Sequence, residues 1–398
     1  MSIAEHFVKK LLSQIQVGRL ELQDGQQVLR AGAVEGATNL TAKLEVHSQK
    51  LYSRLLHRGS IGAGESFMLG EWTTNDLVAL LRIFIRNREL LFGIDGGISK
   101  LNQIFWRFMD HFKRNTPEQS TLNISAHYDL GNDFFKLFLD HSLMYSSAIF
   151  ENPNMDLEAA AQHKLAVICE GLKLESHHRV IEIGTGWGGF AIYVAQHYGC
   201  HVTTTTISAE QHQYAKAQIE ALGLQDKITL LQQDYRALSG QYDRLVSIEM
   251  IEAVGYDFVD QFVRQCSNLL NPDGKACIQA IIRADQHYDR VHKEVDFIKK
   301  YIFPGGCLLS VEYRLRQAAA HTDLRLFHLR DIGYDYAKTL AIWRQRFLQK
   351  LDSVRALGFN EPFMRMWEFY LAYCEAGFLE RYISVVQLNF VKPYYDLR

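Results

Sequence analysis

The chain has 398 residues, 47% of them hydrophobic and 22% charged, which is ordinary for a globular protein with room for two domains. A formal net charge of −2 argues against a general nucleic-acid-binding protein. The start lacks the long apolar run of a secretory signal, and no stretch reaches the roughly 18 apolar residues of a spanning helix. The six cysteines show no metal-ligand spacing, so we expect a cytoplasmic protein with reduced thiols.

The first part of the chain predicts helices and a hairpin. We expect a short helix, a hairpin around Asp24-Gly25, and a second helix near 42–58. Residues 59–72 are rich in glycine and are interpreted as a turn, after which Asp76 can cap an amphipathic helix over 77–88. From about 79 to 114, basic residues alternate with aliphatic and aromatic ones. This pattern suits a helix at a lipid surface, but it suits a helix pair packed on the catalytic domain, with a solvated basic face, somewhat better.

From about residue 120 the pattern changes to alternating strands and helices. The apolar strand candidates are 179–183, 201–206, 227–231, 243–248 and 275–282. Such alternation predicts an α/β fold with a doubly wound, mostly parallel sheet. Ligands of these sheets bind at the carboxyl ends of the strands, near the point where the strand order reverses.

The most informative segment is a strand–turn–helix unit over Val180–Phe190. Its glycines allow a close approach of the backbone to a ligand, which the helix N-terminus then faces. The Gly184, Gly186 and Gly188 spacing differs from the dinucleotide pattern Gly-x-Gly-x-x-Gly, and Glu182 precedes it. These features favour a nucleoside ligand without a pyrophosphate, of which S-adenosylmethionine is the commonest.

Polar residues follow the next two strands as well. Thr206 is placed to reach a ribose, and Asp234 can accept a hydrogen bond from an adenine amino group while Tyr235 covers the ring. Alternatively, Thr206 or Ser208 is only a helix cap and Asp234 only a turn residue. Because three such features occur at consecutive strand ends, they predict a methyl-donor site.

Further motifs flank this site, including Tyr128–Phe135, Tyr301–Gly306 and the TISAEQ and QDYR segments. With these and with Gly59–Trp72, the chain resembles the cyclopropane-fatty-acyl-phospholipid synthases over most of its length. The resemblance implies a seven-stranded S-adenosylmethionine-dependent methyltransferase domain over 119–398. It also implies a small, mainly helical domain over 1–118 that helps to engage the bilayer. The implied reaction adds a one-carbon unit to a cis double bond of a phospholipid acyl chain, giving a cyclopropane or a methyl-branched chain.

The resemblance also implies which residues contact the donor. They are Tyr128, Tyr145, Ser146, Glu182, Gly184, Thr185, Gly186, Trp187, Gly188, Thr206, Gln211, Asp234 and Tyr235. The sulfonium methyl is already an electrophile, so we expect no metal. Attack by the alkene leaves a carbocation that must be stabilised and then lose a proton. An oxyanion in a dry, acyl-lined pocket would serve both purposes.

In the family that oxyanion is commonly a bicarbonate, held by a cysteine, a glutamate, a histidine and a tyrosine. Here Glu252 and Tyr336 match the glutamate and the tyrosine, whereas Ser147 and Gln279 occupy the cysteine and histidine positions. Glu249 stands where the family often has glycine. Because its carboxylate would repel bicarbonate and could itself stabilise the cation or accept its proton, we hypothesise that Glu249 replaces bicarbonate. Alternatively, Glu249 lies in a polar hinge and bicarbonate remains.

Cys374 matches a cysteine often assigned to the family's active site, although a cysteine on an apolar helical face usually belongs to the core. Two other functions stay open: a catalytically inactive lipid-binding or regulatory homologue, and a methyltransferase for another small acceptor. The expected partner is the phospholipid bilayer, met peripherally at the inner face of the membrane, with no nucleic acid. A homodimer would bind that surface with greater avidity.

Overall fold

The computed structural model describes residues 2–33, 39–91, 130–286, 288 and 295–396. They form two compact units. The first comprises the described residues of Met1–Phe112, Lys293–Pro304 and Leu340–Tyr382, and the second those of Lys113–His292, Gly305–Thr339 and Ile383–Arg398. The first unit therefore includes residues 340–382, which lie far along the chain. The functional division into domains 1–118 and 119–398 stays a prediction.

Both units contain strands and helices. The strands are β1 (Arg19–Asp24), β2 (Gln27–Ala31), β3 (Thr41–Val46), β4 (Trp72–Thr74), β5 (Arg179–Ile183), β6 (His201–Thr206), β7 (Ile228–Gln232), β8 (Tyr242–Ile248), β9 (Leu270–Arg283), β10 (Arg325–Asp331) and β11 (Ile383–Val391). The α-helices are α1 (Ile3–Leu12), α2 (Lys50–Met68), α3 (Leu77–Arg86), α4 (Arg88–Leu91), α5 (Asn132–Phe135), α6 (Leu157–Leu172), α7 (Gly189–His197), α8 (Ala209–Ala221), α9 (Val259–Asn268), α10 (Phe297–Tyr301), α11 (Val311–His321), α12 (Gly333–Gln349), α13 (Leu351–Ala356) and α14 (Glu361–Leu379).

The first unit is mainly helical, as predicted, and also contains a four-stranded sheet of order β2-β1-β3-β4. The predicted hairpin is confirmed, because β1 and β2 are antiparallel and Asp24 lies opposite Gln27. Strand β3 runs parallel to β1 on its other side, with Leu22 beside Leu44. The two leucines are buried, so the sheet contributes to the core of this unit.

The predicted helix over 42–58 is wrong in its first part. Residues Thr41–Val46 form strand β3, and α2 begins only at Lys50. In the strand, Ala42 and Leu44 are buried while their neighbours are not, which is the alternation of a half-buried strand. Six residues are too few to separate this pattern clearly from a helical one.

The turn predicted over 59–72 is also wrong, since helix α2 continues to Met68. A kink marks its middle, where Gly59 has φ 53° and ψ −134°, which is non-helical. The glycine at position 64 allows close packing instead of a turn, because a Cβ there would lie 2.4 Å from Cδ2 of Phe297. The chain turns only after the helix, at Gly70 with φ 69°.

The second unit contains the seven-stranded sheet, in the order β10-β11-β9-β8-β5-β6-β7. Its β9, β8, β5, β6 and β7 are parallel neighbours, and β11 runs antiparallel to both β9 and β10. The predicted doubly wound, mostly parallel sheet is therefore confirmed. Strand β5 lies between β6 and β8, so the strand order reverses beside it.

Helices cover both faces of this sheet. Val180 of β5 packs in one apolar cluster with Leu165 of α6, and Ile181 packs in another with Phe262 of α9. Neighbouring residues of β5 are therefore buried on opposite faces, as expected for a central strand of a parallel sheet covered on both sides.

Helix α3 bears on the lipid-surface interpretation of the basic stretch. The Asp76 cap is confirmed, since its Oδ1 accepts from the amide of Ala79 at 2.9 Å. Arg82 and Arg86 each donate from Nε to a carboxylate oxygen of Glu380 at 2.6 Å, so these two cations are paired within the unit. The basic residues from Lys100 to Arg114 lie outside the described residues. Within the described ranges, no helix is both long and apolar enough to span a bilayer.

Replacing Glu380 with glutamine should lower the free energy of unfolding by about 2 kcal/mol, because Arg82 and Arg86 would lose charge-assisted hydrogen bonds while staying 25% exposed. Urea denaturation followed by circular dichroism measures the change. Asp352→Asn is the control, because this carboxylate is 99% exposed in its pair with Arg355 and should cost less than about 0.5 kcal/mol. Equal losses in the two variants would contradict the prediction.

Candidate active site

The glycine turn lies between β5 and α7, where the strand order reverses. Gly184, Gly186 and Gly188 have φ values of 106°, 53° and 94°, in the region that favours glycine. A Cβ on Gly186 would meet no described atom within 4 Å, so the turn faces open space there. The amide of Thr185 donates to the Thr205 carbonyl of β6 at 3.0 Å, which fixes the turn to the sheet. The arrangement leaves room for a ligand at the carboxyl end of the sheet.

Aromatic rings join the segment around α5 to this turn. The Phe135 ring lies 5.0 Å from that of Trp187 and 5.3 Å from that of Tyr145, between centroids. Trp187 also donates from Nε1 to Oδ1 of Asn132 at 2.6 Å. The structure thus brings two predicted donor-binding residues, Tyr145 and Trp187, together around one ring. Tyr128 lies outside the described residues.

Thr206 and Gln211 hold each other beside the turn. Thr206 Oγ1 donates to Oε1 of Gln211 at 2.9 Å, and both side chains are buried. Because Oε1 is used in this bond, the amide NH₂ of Gln211 is the group that can donate to a ligand oxygen. Ser208 is the N-cap of α8, and its Oγ accepts from the Gln211 amide at 3.3 Å. The capping role proposed for Ser208 is therefore confirmed.

Asp234 and Tyr235 follow β7. Asp234 Oδ1 accepts from the amide of Arg236 at 2.9 Å, so the residue has the turn role foreseen for it. Its side chain is still 21% exposed at this edge of the sheet. The Tyr235 ring is buried in the core and meets Phe262 edge-on, with centroids 5.4 Å apart.

Glu182 lies inside the sheet layer, behind the turn. Its carboxyl group accepts from Thr204 Oγ1 at 2.6 Å, and Thr204 Oγ1 lies 2.7 Å from Thr185 Oγ1. Burial raises the pKa of Glu182 to about 8, although the hydrogen bond from Thr204 and the charge of Lys164 act in the opposite direction. Burial therefore favours the protonated form of Glu182, which reaches the glycine turn through two threonine hydroxyls.

Three predicted catalytic residues converge on the carboxylate of Glu249, which directly follows β8. The Ser147 amide and Gln279 Nε2 donate to Oε1 at 2.9 and 2.8 Å. Tyr336 donates from Oη to Oε2 at 2.8 Å. The Ser147 hydroxyl donates instead to the Ala148 carbonyl at 2.9 Å, so Ser147 reaches Glu249 through its backbone.

The backbone of Glu249 has a conformation that favours glycine, with φ 49°. A non-glycine residue there costs about 1–2 kcal/mol. The resemblance implies glycine at this position in many relatives, which agrees with the backbone. The glutamate therefore adds a carboxylate to a site whose geometry needs no side chain.

The hydrogen-bond donors expected to hold bicarbonate are already used by Glu249. A bicarbonate at the Ser147 amide, Gln279 and Tyr336 would have to displace the Glu249 carboxylate and would meet its charge. These residues do not fit bicarbonate while Glu249 stays in place. Burial raises the pKa of Glu249, and the hydrogen bonds from all three donors and the charge of Lys164 act against that rise.

Glu252 is held by other groups than those that bind Glu249. Its Oε1 accepts from the Ile281 amide at 2.6 Å and lies 3.7 Å from Nη2 of Arg314. Its Oε2 is buried without a hydrogen-bond partner among the described residues. Burial raises the pKa of Glu252 to about 7; Arg314 lowers it and Glu249 raises it further. Glu252 therefore offers one carboxylate oxygen that can take a proton.

Two residues at this site were missed in the sequence, Lys164 and Gln387. Gln387 donates from Nε2 to Oε1 of Gln279 at 3.0 Å and so turns the NH₂ of Gln279 towards Glu249. Lys164 is fully buried and donates to Ser146 Oγ at 2.9 Å. Lys164 is a charged residue on an apolar helical face, and that signal could have found it.

Cys374 lies on α14 of the first unit, whereas the cluster around Glu249 is built from the second. Burial raises the pKa of its thiol, which makes it a poor nucleophile near neutral pH. In the parts of the chain that the structure describes, no three His, Cys, Asp or Glu residues are grouped to hold a metal ion.

Comparison with known proteins identifies the family. A family model described as mycolic acid cyclopropane synthetase matches residues 115–388. Tuberculostearic acid methyltransferase from Mycobacterium tuberculosis is 36% identical over 370 residues, which cover 91% of this chain and 86% of that protein. Cyclopropane-fatty-acyl-phospholipid synthase from Escherichia coli strain K12 is 35% identical over 372 residues, covering 91% of this chain and 90% of that protein.

A solved structure agrees with these matches. Mycolic acid cyclopropane synthase complexed with SAH and CTAB is 28% identical, with a TM-score of 0.64 over 68% of this chain and 98% of that one. The open space at Gly186 and the amide of Gln211 fit such a nucleoside ligand. The chain therefore belongs to the mycolic acid cyclopropane synthetase family and is an S-adenosylmethionine-dependent methyltransferase.

Proposed function

We propose that this methyltransferase adds a one-carbon unit to the cis double bond of an unsaturated phospholipid acyl chain. The main support is the Glu249 carboxylate, which is largely buried and held by three hydrogen-bond donors. A fixed carboxylate with little water around it suits a reaction that develops positive charge on carbon. The acceptor class is supported by the E. coli relative, which is named a cyclopropane-fatty-acyl-phospholipid synthase.

In this mechanism, S-adenosylmethionine supplies an electrophilic methyl group when bound. The alkene forms a bond to the methyl carbon, and the electrons of the methyl–sulfur bond stay on sulfur. The other alkene carbon is left as a carbocation, which Glu249 stabilises by its charge. Glu249 then accepts the proton that the cation loses. Because Ser147, Gln279 and Tyr336 already orient the carboxylate, no rearrangement is needed when the charge appears.

The product depends on which proton Glu249 removes. Removal from the transferred methyl closes a cyclopropane ring. Removal from a neighbouring chain carbon gives a methyl-branched chain that keeps one carbon–carbon double bond. A methylene-bearing chain forms only if a hydride first moves from the methylated carbon to the cation, after which the transferred methyl loses the proton. One relative is named a cyclopropane-fatty-acyl-phospholipid synthase and another a tuberculostearic acid methyltransferase, so members of the family are named both for ring formation and for methyl transfer. We therefore assign the product as a cyclopropane or a methyl-branched acyl chain.

The donor is proposed to bind against the glycine turn, Thr206 and Gln211, with Tyr145 and Trp187 beside it. The turn offers open space at Gly186, and the aromatic rings adjoin the same turn. Peripheral association with the bilayer follows from an acceptor chain that lies within it. That association and the homodimer stay predictions.

The catalytically inactive alternative loses its main support. It was suggested by Ser147 and Gln279 at the expected cysteine and histidine positions. Both residues donate hydrogen bonds to Glu249, so the substitutions form a coherent anion site. A small polar acceptor would need a base for its own proton, which Glu249 could also supply, so the lipid acceptor is favoured by the family match and by the relatives' names.

Incubation with methyl-labelled S-adenosylmethionine and vesicles of mixed unsaturated phospholipids should place the label in the acyl chains. Mass spectrometry and NMR of the released fatty acids would show whether the product is a cyclopropane or a branched chain. Vesicles of saturated phospholipids are the control and should stay unlabelled, because they lack the nucleophilic double bond. Donor binding without label in any lipid would contradict the proposal and favour the inactive homologue.

Removing bicarbonate should leave the rate unchanged, because Glu249 already occupies the donors that would hold it. Initial rates would be measured in carbon dioxide-free buffer and again after bicarbonate is restored. A family member with glycine in place of Glu249 is the positive control for depletion. A strong recovery of this enzyme's rate on adding bicarbonate would contradict the replacement.

Glu249→Gly should lower kcat about 10²–10³-fold, and small carboxylates such as formate should restore part of it. The glycine suits φ 49° and leaves space beside Ser147, Gln279 and Tyr336 for an added anion. Glu249→Gln is the matched control, since it fills the space without charge and should lose activity without rescue. Donor affinity, measured by calorimetry, should stay similar in both variants. Full activity of Glu249→Gln would refute the assigned role.

A further inference from the structure

Lys164 is a charged side chain in the core of the second unit. It lies on α6 and is 0% exposed, and the other buried residues of that helix are apolar. Its Nζ donates to Ser146 Oγ at 2.9 Å, and no described carboxylate lies within ion-pair distance. A buried ammonium is costly unless opposite charge is near, so its position requires an explanation.

The acidic groups that favour the charged form of Lys164 are Glu249, then Asp140, Glu182 and Cys277. Asp140 is already used by the amides of Ser142 and Met144, at 2.8 and 3.0 Å. Burial raises the pKa of Glu182 to about 8, which disfavours its charged form. Glu249 has the largest effect of these groups on Lys164, and Lys164 in turn favours the charged form of Glu249.

Lys164 is also linked to Glu249 through the backbone. It holds the hydroxyl of Ser146, and the amide of the next residue, Ser147, donates to Glu249 at 2.9 Å. The following amide, of Ala148, donates to Thr339 Oγ1 at 3.1 Å. Three consecutive residues are thus fixed, and the first of them is fixed by Lys164.

We propose that Lys164 is a positioning residue for Glu249: its ammonium anchors the Ser146–Ser147 segment and supplies the positive charge that keeps Glu249 a carboxylate. The inference rests on the proposed function, in which Glu249 stabilises the carbocation and takes its proton. Lys164 acts through Glu249 and Ser146 and has no direct role on the acyl chain.

The expected pH dependence follows from the charges. Lys164 lowers the pKa of Glu249, so removing the ammonium raises that pKa and protonates Glu249 at higher pH. The acidic limb of the kcat profile should therefore move to higher pH. Burial lowers the pKa of Lys164 itself to about 8, so the contrast with the variants should fade in alkaline buffer. The other groups that face this pair are Tyr336, Glu252, Asp140, Glu182 and Cys277, and all of them stay unchanged in the variants.

Two variants separate charge from anchoring. Lys164→Gln removes the charge and keeps a donor for Ser146, whereas Lys164→Met removes both. In both variants, the acidic limb of the kcat profile should shift by about one unit to higher pH. At a given pH on that limb, kcat should then be about tenfold lower. Donor affinity should change little by calorimetry. Lys275→Met is the matched control, because Lys275 is 2% exposed in β9 but contacts the rings of Phe327 and Tyr395. The acidic limb of the kcat profile of this control variant should stay at the wild-type pH.

The outcomes distinguish the inference from the proposed function. If the wild type is active and neither Lys164 variant moves the acidic limb, the inference is overturned and the function stands. A shift in Lys164→Met alone would overturn the role of the charge.

Stability provides a readout that needs no turnover. Combining Lys164→Met with Glu249→Gln should cost less than the sum of the single variants, because each single change leaves an unbalanced charge. If the Lys164→Met variant does not fold, the double variant of Lys164→Gln with Glu249→Gln is measured in its place. Additive losses would overturn the inference even if no lipid is turned over.

Discussion

In the proposed mechanism, the site in the second unit depends on keeping one carboxylate, that of Glu249, charged in a largely buried place. Removing a carboxylate from water costs several kcal/mol, and burial accordingly raises its pKa. The cost is offset by donors from three parts of the unit: the Ser147 amide, Gln279 on β9 and Tyr336 on α12. Gln279 is itself oriented by Gln387 on β11. The sheet, the loop before α6 and the start of α12 therefore meet at a single anion.

The doubly wound topology explains why this anion adjoins the donor site. Strand β8 ends directly before Glu249, and its parallel neighbour β5 ends directly before Gly184. Both ends lie at the same edge of the sheet, where the strand order reverses. The left-handed backbone of Glu249 costs about 1–2 kcal/mol. One hydrogen bond to a charged group contributes about as much, so three of them outweigh the backbone cost.

Much of the second unit could be predicted from the sequence, and less of the first. The bounds of β5 and β6 match those expected, because long apolar and β-branched runs mark strands buried on both faces. Residues 59–72 were misread as a turn because the reason for Gly64 is the ring of Phe297, more than two hundred residues away. Lys164 and Gln387 were missed for a similar cause. Their partners, Ser146 and Gln279, lie on other elements and cannot be identified from local pattern.

The charge balance near Glu249 bears on the whole catalytic cycle. Lys164 and Glu249 favour each other's charged forms, while burial raises the pKa of Glu182 to about 8. In the proposed mechanism, the carbocation meets the carboxylate of Glu249. After proton transfer Glu249 is neutral and Lys164 keeps its charge, which disfavours retention of the proton on Glu249. In this proposal, the ammonium of Lys164 therefore keeps Glu249 charged before the reaction and favours the loss of the proton from Glu249 afterwards.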